Sequence, residues 1–160
     1  MKISLEWIKD YIDITLSEEE IVSGLTSLGL ECTLSNHNQF TFKGIVTARV
    51  IECIKHPNAD SLSLCKVDLG DDNLPLNIIC GAPNIKSNII VPVAPIGSIL
   101  KSGDFKIKKT KIRGVLSEGM ICSESELDIS NNHEGIMILN DEIAIGIPLE
   151  KIYNSDDVII

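Results

Sequence analysis

The sequence predicts a mainly β protein of the α+β class, in which a five-stranded Greek-key barrel follows two short helices. The first observation is a change near residue 40, where helical spacing of apolar residues gives way to short runs separated by Gly, Pro and Asn turns. The second is the number of those runs, about five in roughly a hundred residues, which is typical of a small barrel. At 160 residues and 44% hydrophobic content, the chain is large enough for one ordinary core.

The opening segment predicts the two helices. Ser4 is placed to cap the first, and Ser17 followed by Glu20 forms a capping-box pattern for the second. Gly29 suits the end of the second helix because glycine adopts a left-handed conformation without a steric penalty. Apolar residues at helical spacing predict the faces that pack on a core: Leu5, Ile8 and Ile12, then Ile21, Val22, Leu25 and Leu28.

Short β-rich runs follow the helices. Pro57 ends the first long run because proline has no N–H to donate to a strand ladder. Pro92 and Pro95 predict that the fourth barrel strand is bent or lies at an edge. The OB-fold, a five-stranded Greek-key barrel that binds oligonucleotides, matches this pattern. The predicted strands cover residues 31–35, 44–54, 61–69, 75–80, 89–95, 105–113 and 119–122.

The residue pattern predicts no catalytic site, metal site or cofactor in these 160 residues. His37, His56 and His133 have no evident acidic or cysteine partner and are interpreted as surface or turn residues. No glycine-rich phosphate-binding loop is present. The cysteines form no Cys-x-x-Cys pair, which predicts reduced thiols rather than a zinc site: Cys32, Cys53, Cys65, Cys80 and Cys122.

The charge distribution bears on nucleic-acid binding. The net charge of −9 divides into −5 over residues 1–39, −3 over 40–150 and −1 over 151–160. Acidic charge opposes long-range attraction to RNA, but a local basic strip still contacts phosphates. Lysines on a strand also protect its edge from pairing, and the sequence leaves both interpretations open. The strip holds five bases in eight residues: Lys106, Lys108, Lys109, Lys111 and Arg113.

Aromatic residues for base stacking are scarce in the barrel region, where the sequence has Phe40, Phe42 and Phe105. Stacking on an aromatic ring contributes about 1–3 kcal/mol per base. If RNA binds, backbone and shape contacts are therefore expected to dominate, with weak and salt-sensitive affinity.

The sequence predicts a cytosolic chain that is a piece of a longer protein. No apolar run approaches the ~20 residues that span a bilayer. Charged residues interrupt the amino terminus where a signal peptide has its apolar core. The final run SDDVII ends on β-branched residues with no partner strand after it, which favours truncation.

Several runs, in their order, resemble one known family. The opening run MKISLEWIKDYIDITLSEEEIVSGLTSLGLE resembles the amino terminus of bacterial phenylalanine–tRNA ligase beta subunits. The middle resembles the tRNA-binding OB domain of that subunit and of freestanding tRNA-binding proteins. Asn88 and Asp128 stand where the family usually has glycine, and both residue types tolerate a left-handed turn. The middle runs are HPNADSLSLCKVDLG, ICGAPNI, IRGVLSEGMICSESEL and EGIMIL.

The resemblance implies an organisation and a set of partners. Residues 40–150 would be an OB barrel inserted in a small split α/β domain, whose parts are residues 1–39 and a truncated 151–160. The barrel would be a noncatalytic module that contacts tRNA and not DNA or a membrane. The intact subunit would pair with a catalytic alpha subunit in an (αβ)2 assembly, which charges tRNA with phenylalanine using ATP and Mg²⁺.

Candidate tRNA-binding residues come from two sources. The resemblance points to an Asn-x-basic run and a Ser-x-Gly-Met run, and charge alone adds a lysine and an arginine of the basic strip. The basic side chains are expected to meet phosphates, the asparagine and serine to hydrogen-bond phosphate or ribose, and the methionine to pack against sugar or base. The six residues are Asn84, Lys86, Lys111, Arg113, Ser117 and Met120.

The other conspicuous residues have structural interpretations. HPNAD is predicted to be the loop between the first two barrel strands, with Asp60 bonding nearby amides. Gly114 and Gly119 are predicted at bends that let the last strand close the barrel. Two other functions stay open: a freestanding dimeric tRNA-binding protein, and a barrel with a purely structural role in assembly.

Overall fold

The computed structural model describes residues 3–36, 42–70, 74–100, 105–153 and 158–159. The chain divides into two compact units, one of Met1–Phe40 with Ile152–Ile160 and the other of Thr41–Lys151. The described helices are α1 Leu5–Lys9, α2 Glu18–Ser27 and α3 Glu150–Tyr153. The described strands are β1 Ser35–Asn36, β2 Val46–His56, β3 Ala59–Asp68, β4 Leu76–Cys80, β5 Ile89–Pro95, β6 Ile99–Leu100, β7 Phe105–Lys106, β8 Thr110–Ile112, β9 Val115–Ser117, β10 Gly119–Ile121 and β11 Val158–Ile159.

The larger unit is a nearly closed barrel. Its five main strands form one antiparallel sheet in the order β10-β5-β2-β3-β4. The sheet curls until β4 meets the β9–β10 segment, where the Glu118 N–H donates to the Asn77 carbonyl at 2.8 Å. Among the five main strands, the first (β2) pairs with the fourth (β5), and the third (β4) meets the last (β10). This is the strand arrangement of an OB-type Greek-key barrel. The predicted fold is confirmed.

The barrel interior is apolar and follows the period of two that strands impose. On β3, Cys65 and Val67 are buried while Lys66 between them is exposed. β5 is buried at six of its seven positions because it has neighbours on both sides. The core cluster draws on all five strands and the segment after them: Ala48, Val50, Cys65, Val67, Ile78, Cys80, Ile89, Val91, Val93, Ile121 and Ile136.

Of the two alternatives predicted for β5 from its prolines, a bend or an edge position, the edge position is wrong. β5 pairs with β2 on one side and β10 on the other. Pro92 lies just past the end of β10, where its carbonyl accepts the Cys122 N–H at 3.0 Å. Pro92 has no N–H and so cannot donate to the Cys122 carbonyl in return. The Met137 N–H donates to that carbonyl instead, at 3.0 Å. A central strand therefore tolerates proline here because another segment supplies the missing donor.

Two other predicted strands are shorter or divided. The single strand expected over 105–113 is two pieces, β7 and β8, which pair with β6 and β9 respectively. Between them Ile107 turns inward and exchanges backbone hydrogen bonds with Gly97 and Ser98. Of the strand expected over 31–35, only Ser35 is in a strand. The two departures from glycine are accommodated as expected, with φ of 61° at Asn88 and 55° at Asp128.

The smaller unit holds the two helices with the predicted caps. The Ser4 hydroxyl accepts the Trp7 N–H at 2.9 Å, and Ser17 with Glu20 forms the capping box. The Gly29 and Leu30 N–H groups close α2 in a Schellman arrangement, with φ of 88° at Gly29. β1 pairs with β11.

The helix faces that were predicted to pack on a core are half-buried at most positions and exposed at Ile12 and Leu28. Leu5 is buried, but no residue of α2 is, and Leu28 is 79% exposed. Capping and periodicity define these helices locally, whereas burial depends on what other chain elements cover them. None of the described helices is long and apolar enough to cross a membrane.

Candidate nucleic-acid interface

The β8–β9 hairpin turns tightly at Arg113 and Gly114. Their φ values are 48° and 90°, and Ile112 pairs with Val115 on either side. Two consecutive residues with positive φ are the mark of a type I′ turn, whose twist matches that of the strands it joins. Gly114 therefore lies at a bend, as predicted, and the exposed Arg113 stands at the hairpin tip.

A set of hydrogen bonds, here called the clasp, joins this hairpin tip to the turn between β2 and β3. The buried His56 ring places Nε2 at 3.2 Å from the Ile112 carbonyl, and its Nδ1 accepts the Asn58 N–H at 3.0 Å. Because Nδ1 accepts, Nε2 carries the proton and donates to Ile112. The Asn58 side chain donates to the Arg113 carbonyl at 3.0 Å. His56 and Asn58, rather than the predicted Asp60, thus hold the HPNAD loop.

A groove of about 620 Å³, here called the basic groove, lies beside the hairpins. From the barrel strands it is lined by Ile79, Gly119 and Met120, and from the hairpin segment by both lysines and apolar groups. Phe105 is 56% exposed there, in the same lining as Met120 and the two lysines. The hairpin-side lining residues are Phe105, Lys106, Ile107, Lys108, Thr110, Ile112 and Ser117.

The position of the basic groove fits oligonucleotide binding. In OB-folds the loops after the first and fourth barrel strands flank the ligand. Here these are the β2–β3 turn and the long β5–β10 connection, which contains the four strands β6–β9. The clasp holds these two loops together.

One lysine of the basic strip is already paired. Lys109 Nζ lies 3.1 Å from a Glu118 carboxylate oxygen, with the lysine half exposed. The hydrogen bond from Lys109, and a second from the Asn77 backbone, lower the pKa of the Glu118 carboxyl. Lys106, Lys108 and Lys111 are exposed, and no described acidic group pairs with them.

Two predicted contact residues are engaged inside the protein. The buried Ser117 hydroxyl accepts the Ile79 N–H at 3.1 Å and donates to the Gly119 carbonyl at 3.1 Å. The Asn84 side chain accepts the Ile136 N–H at 3.0 Å and donates to the Ile136 carbonyl at 2.8 Å. Ser117 closes the barrel, and Asn84 fastens the CGAPN loop to the EGIMIL segment.

The structure brings some of the six predicted residues together. Ser117 and Met120 line the basic groove, and Lys111 and Arg113 lie on the adjoining hairpin. Lys86 is exposed after the CGAPN loop and is not part of the lining. The prediction did not include Phe105, Lys106 and Lys108, although the same basic run contains both lysines. Exposure of Phe105 was the signal that only the structure supplies.

The Cys80 and Cys122 thiols are poorly suited to act as nucleophiles. Burial raises the pKa of the Cys80 and Cys122 thiols, which disfavours a thiolate nucleophile. Among the parts of the chain that the structure describes, no group of three or more His, Cys, Asp or Glu side chains is placed to hold a metal ion.

Comparison with known proteins now assigns the barrel. The model of the putative tRNA-binding domain family matches residues 45–148. The chain belongs to this family. The family's barrel region coincides with the strands that surround the basic groove, so the groove lies within a domain class defined by tRNA binding.

Relatives at higher identity extend the similarity over the whole chain. It is 45% identical over 159 residues to the phenylalanine–tRNA ligase beta subunit of Syntrophus aciditrophicus, covering 99% of this chain and 19% of that protein. The beta subunits of Fusobacterium nucleatum and Synechocystis are 46% and 45% identical, with 99% and 100% of this chain covered and 20% of each relative. The predicted resemblance is confirmed, and the chain spans about a fifth of the length of these relatives.

A looser likeness is to a solved structure, the C-terminal domain of Plasmodium vivax p43. The TM-score is 0.47 at 22% identity, over 68% of this chain and 59% of that one.

Proposed function

We propose that these residues are the amino-terminal, tRNA-contacting module of a phenylalanine–tRNA ligase beta subunit, and that tRNA backbone lies in the basic groove. The single observation that carries the proposal is the groove itself, which combines unpaired lysines with an exposed phenylalanine inside a tRNA-binding-family barrel. Lys106 and Lys108 neutralise phosphates, while Phe105 and Met120 pack against ribose or base.

The six predicted residues take different parts in this proposal. Lys86, Lys111 and Arg113 are proposed as further phosphate contacts, supported by their exposure. Asn84 and Ser117 act by shaping the surface, because their polar atoms are already hydrogen-bonded within the protein. Met120 contacts RNA directly from the groove.

The module is proposed to be a noncatalytic part of a larger cytoplasmic enzyme. Similarity to about a fifth of each ligase beta subunit supports this arrangement. Catalysis with ATP and Mg²⁺, and pairing with a catalytic alpha subunit in an (αβ)2 assembly, would then belong to the intact protein. In that context the module contributes to tRNA(Phe) binding and to assembly for phenylalanyl-tRNA synthesis.

We also infer that residues 1–39 and 151–160 are two parts of one split domain, with the barrel of residues 40–150 inserted between them. Support comes from the pairing of β1 with β11, which joins the two ends of the chain. Residues 1–40 and 152–160 likewise form one compact unit.

The proposal is tested by titrating labelled tRNA into the protein at several salt concentrations. The double variant Lys106→Ala/Lys108→Ala is expected to bind tRNA more weakly. The slope of log affinity against log salt should become shallower by about 1.4–1.8, the value for two lost phosphate contacts. Lys66→Ala is the matched control, since Lys66 lies on β3 in an ion pair with Glu52 and does not line the groove. Its slope should equal that of the unmodified chain.

Other outcomes point to the rival functions. Absence of salt-dependent binding at high micromolar protein would reject tRNA contact and favour a structural role in assembly. That alternative draws on the net charge of −9 and on the internal engagement of Asn84 and Ser117. Equal slopes for the groove and control variants would reject the basic groove as the binding surface.

A further inference from the structure

Two cysteines face each other across the first barrel hairpin. Cys53 on β2 and Cys65 on β3 are directly opposed in the antiparallel register. Their sulfur atoms are 3.8 Å apart, with the Cys65 thiol donating to Cys53. Among the described cysteines, this is the one sulfur–sulfur contact; Cys32 and Cys122 donate to carbonyls, and Cys80 accepts the Ala82 N–H.

The two thiols differ in exposure. Cys65 is fully buried, whereas Cys53 is only partly buried and packs against the core cluster. Burial, followed by the neighbouring Cys53, raises the pKa of the Cys65 thiol. A small oxidant from solvent therefore reaches the Cys53 sulfur first. The Cys65 sulfur lies within contact distance of it and can react with it next.

We propose that Cys53 and Cys65 are an oxidisable dithiol that a hydroperoxide converts to a cross-strand disulfide. The Cys53 sulfur attacks the peroxide, becoming a sulfenic acid and releasing one molecule of water or alcohol. The Cys65 sulfur then attacks the Cys53 sulfur, the S–OH bond breaks, and the hydroxyl leaves with the Cys65 proton as water. The peroxide is reduced by two electrons, and the two thiols are oxidised by two.

The strand geometry accommodates this bond. Opposed residues of antiparallel strands have Cα atoms about 4.5–5.5 Å apart, and disulfides join Cα atoms about 4.4–6.8 Å apart. The sulfurs must close from 3.8 Å to about 2.05 Å, which side-chain rotation can supply without separating the strands. This inference is independent of the proposed tRNA function.

Peptide mapping tests the proposal. The reduced protein is treated with hydrogen peroxide, blocked with N-ethylmaleimide and digested with trypsin without reduction. The expected product joins the tryptic peptides 50–55 and 56–66, with a mass lower by about 2 Da than their sum because two hydrogens are lost. Cys53→Ser and Cys65→Ser should each abolish it, and Cys80→Ser should leave it unchanged. Far-ultraviolet circular dichroism checks that each variant is folded.

Three results would overturn the proposal. The first is a Cys53 that stops at sulfinic acid in folded protein, with no linked peptide. The second is a link from Cys53 to the Cys80 peptide in place of Cys65. The third is a 53–65 link that forms only in denaturant, which would show that the native strands prevent it.

Discussion

The seam that closes the barrel and the basic groove beside it share one stretch of chain. The seam pairs its polar groups within the protein, whereas the groove leaves its charged groups exposed. At the seam, Ser117 and Glu118 meet β4 through backbone and side-chain hydrogen bonds, and Gly119 lies close to the Ile78 side chain of β4. In the groove, Lys106 and Lys108 leave their ammonium groups exposed to solvent. Buried donors need partners, whereas a phosphate-binding surface needs cations that the protein has not already paired.

The residues that are conspicuous in the sequence differ from those proposed to bind RNA. In the Ser-x-Gly-Met run, Ser117 and Gly119 belong to the seam. The groove lysines, Lys106 and Lys108, come from the KIKK run, which matches no motif. Variants on the two sides should therefore affect different quantities. Seam variants are expected to lower the free energy of unfolding, and groove variants to lower tRNA affinity.

The largest expected effect is on the seam, from Gly119→Ala. A Cβ at this position would lie 2.9 Å from the Ala94 carbonyl oxygen and 3.2 Å from Ile78 Cδ1, so strands must move apart. Overpacking of this kind destabilises by about 1–3 kcal/mol, and contact with rigid backbone places the expected loss at the upper end. Urea unfolding measures it. Gly24→Ala on α2 is the control, because nothing lies within 4 Å there, and no loss of stability is expected.

Ser117→Ala is the next largest. It leaves the N–H of the buried Ile79 without its acceptor, which costs about 1–3 kcal/mol for an unsatisfied buried group. Urea unfolding of this variant should be compared with that of Ser61→Ala, an exposed serine on β3, which should stay within ~0.5 kcal/mol. Equal stability of the two variants would mean that the seam is held by backbone contacts alone.

The third test concerns the hairpin margin of the groove. Lys111→Ala is expected to make the slope of log tRNA affinity against log salt shallower by about 0.7–0.9, the value for one lost phosphate contact. Unfolding stability should not change, since the Lys111 side chain is exposed. An unaltered slope would assign Lys111 to protection of the strand edge, the other function of lysine there.

The smallest expected effect comes from the ion pair that joins seam and groove. Because its pKa is lowered, Glu118 binds a proton less readily when folded than when unfolded. Its stabilising contribution is therefore complete above its ordinary value of 4.5 and is lost as pH falls through the lowered value. Unfolding followed from pH 6 to pH 3 should show less acid sensitivity in Glu118→Gln.

The same variant also tests the groove. Glu118→Gln removes the charge that neutralises Lys109, so this lysine becomes available to a phosphate. The salt slope for tRNA should steepen by up to about 0.9. A shallower slope would show that Lys109 depends on Glu118 for its position.

The strands and caps were largely predictable because their signals are local. Ser17 with Glu20, Gly29, and the proline after β2 each act within a few residues, and each does what the pattern predicts. The edge position of β5 was predicted wrongly because a proline in a strand indicates a missing N–H donor, but not which neighbouring segment supplies another. Only the fold shows that Met137, 45 residues later, supplies the N–H.

Site residues were harder to predict for the same reason. Asn84 and Ser117 have the right chemistry for RNA contact, but their partners lie 52 and 38 residues away in sequence. Nothing local indicates that these polar groups are already satisfied. Phe105 and Lys108 carry no motif, and their value depends on exposure beside Met120, which arises only when the hairpins fold against the barrel.

The clasp holds one margin of the proposed RNA-binding groove in place. His56 and Asn58 tie the β2–β3 turn to the tip of the β8–β9 hairpin, and Ile112 of that hairpin lines the groove. This margin of the groove is therefore held in place before any ligand arrives, and little conformational entropy is lost there on binding.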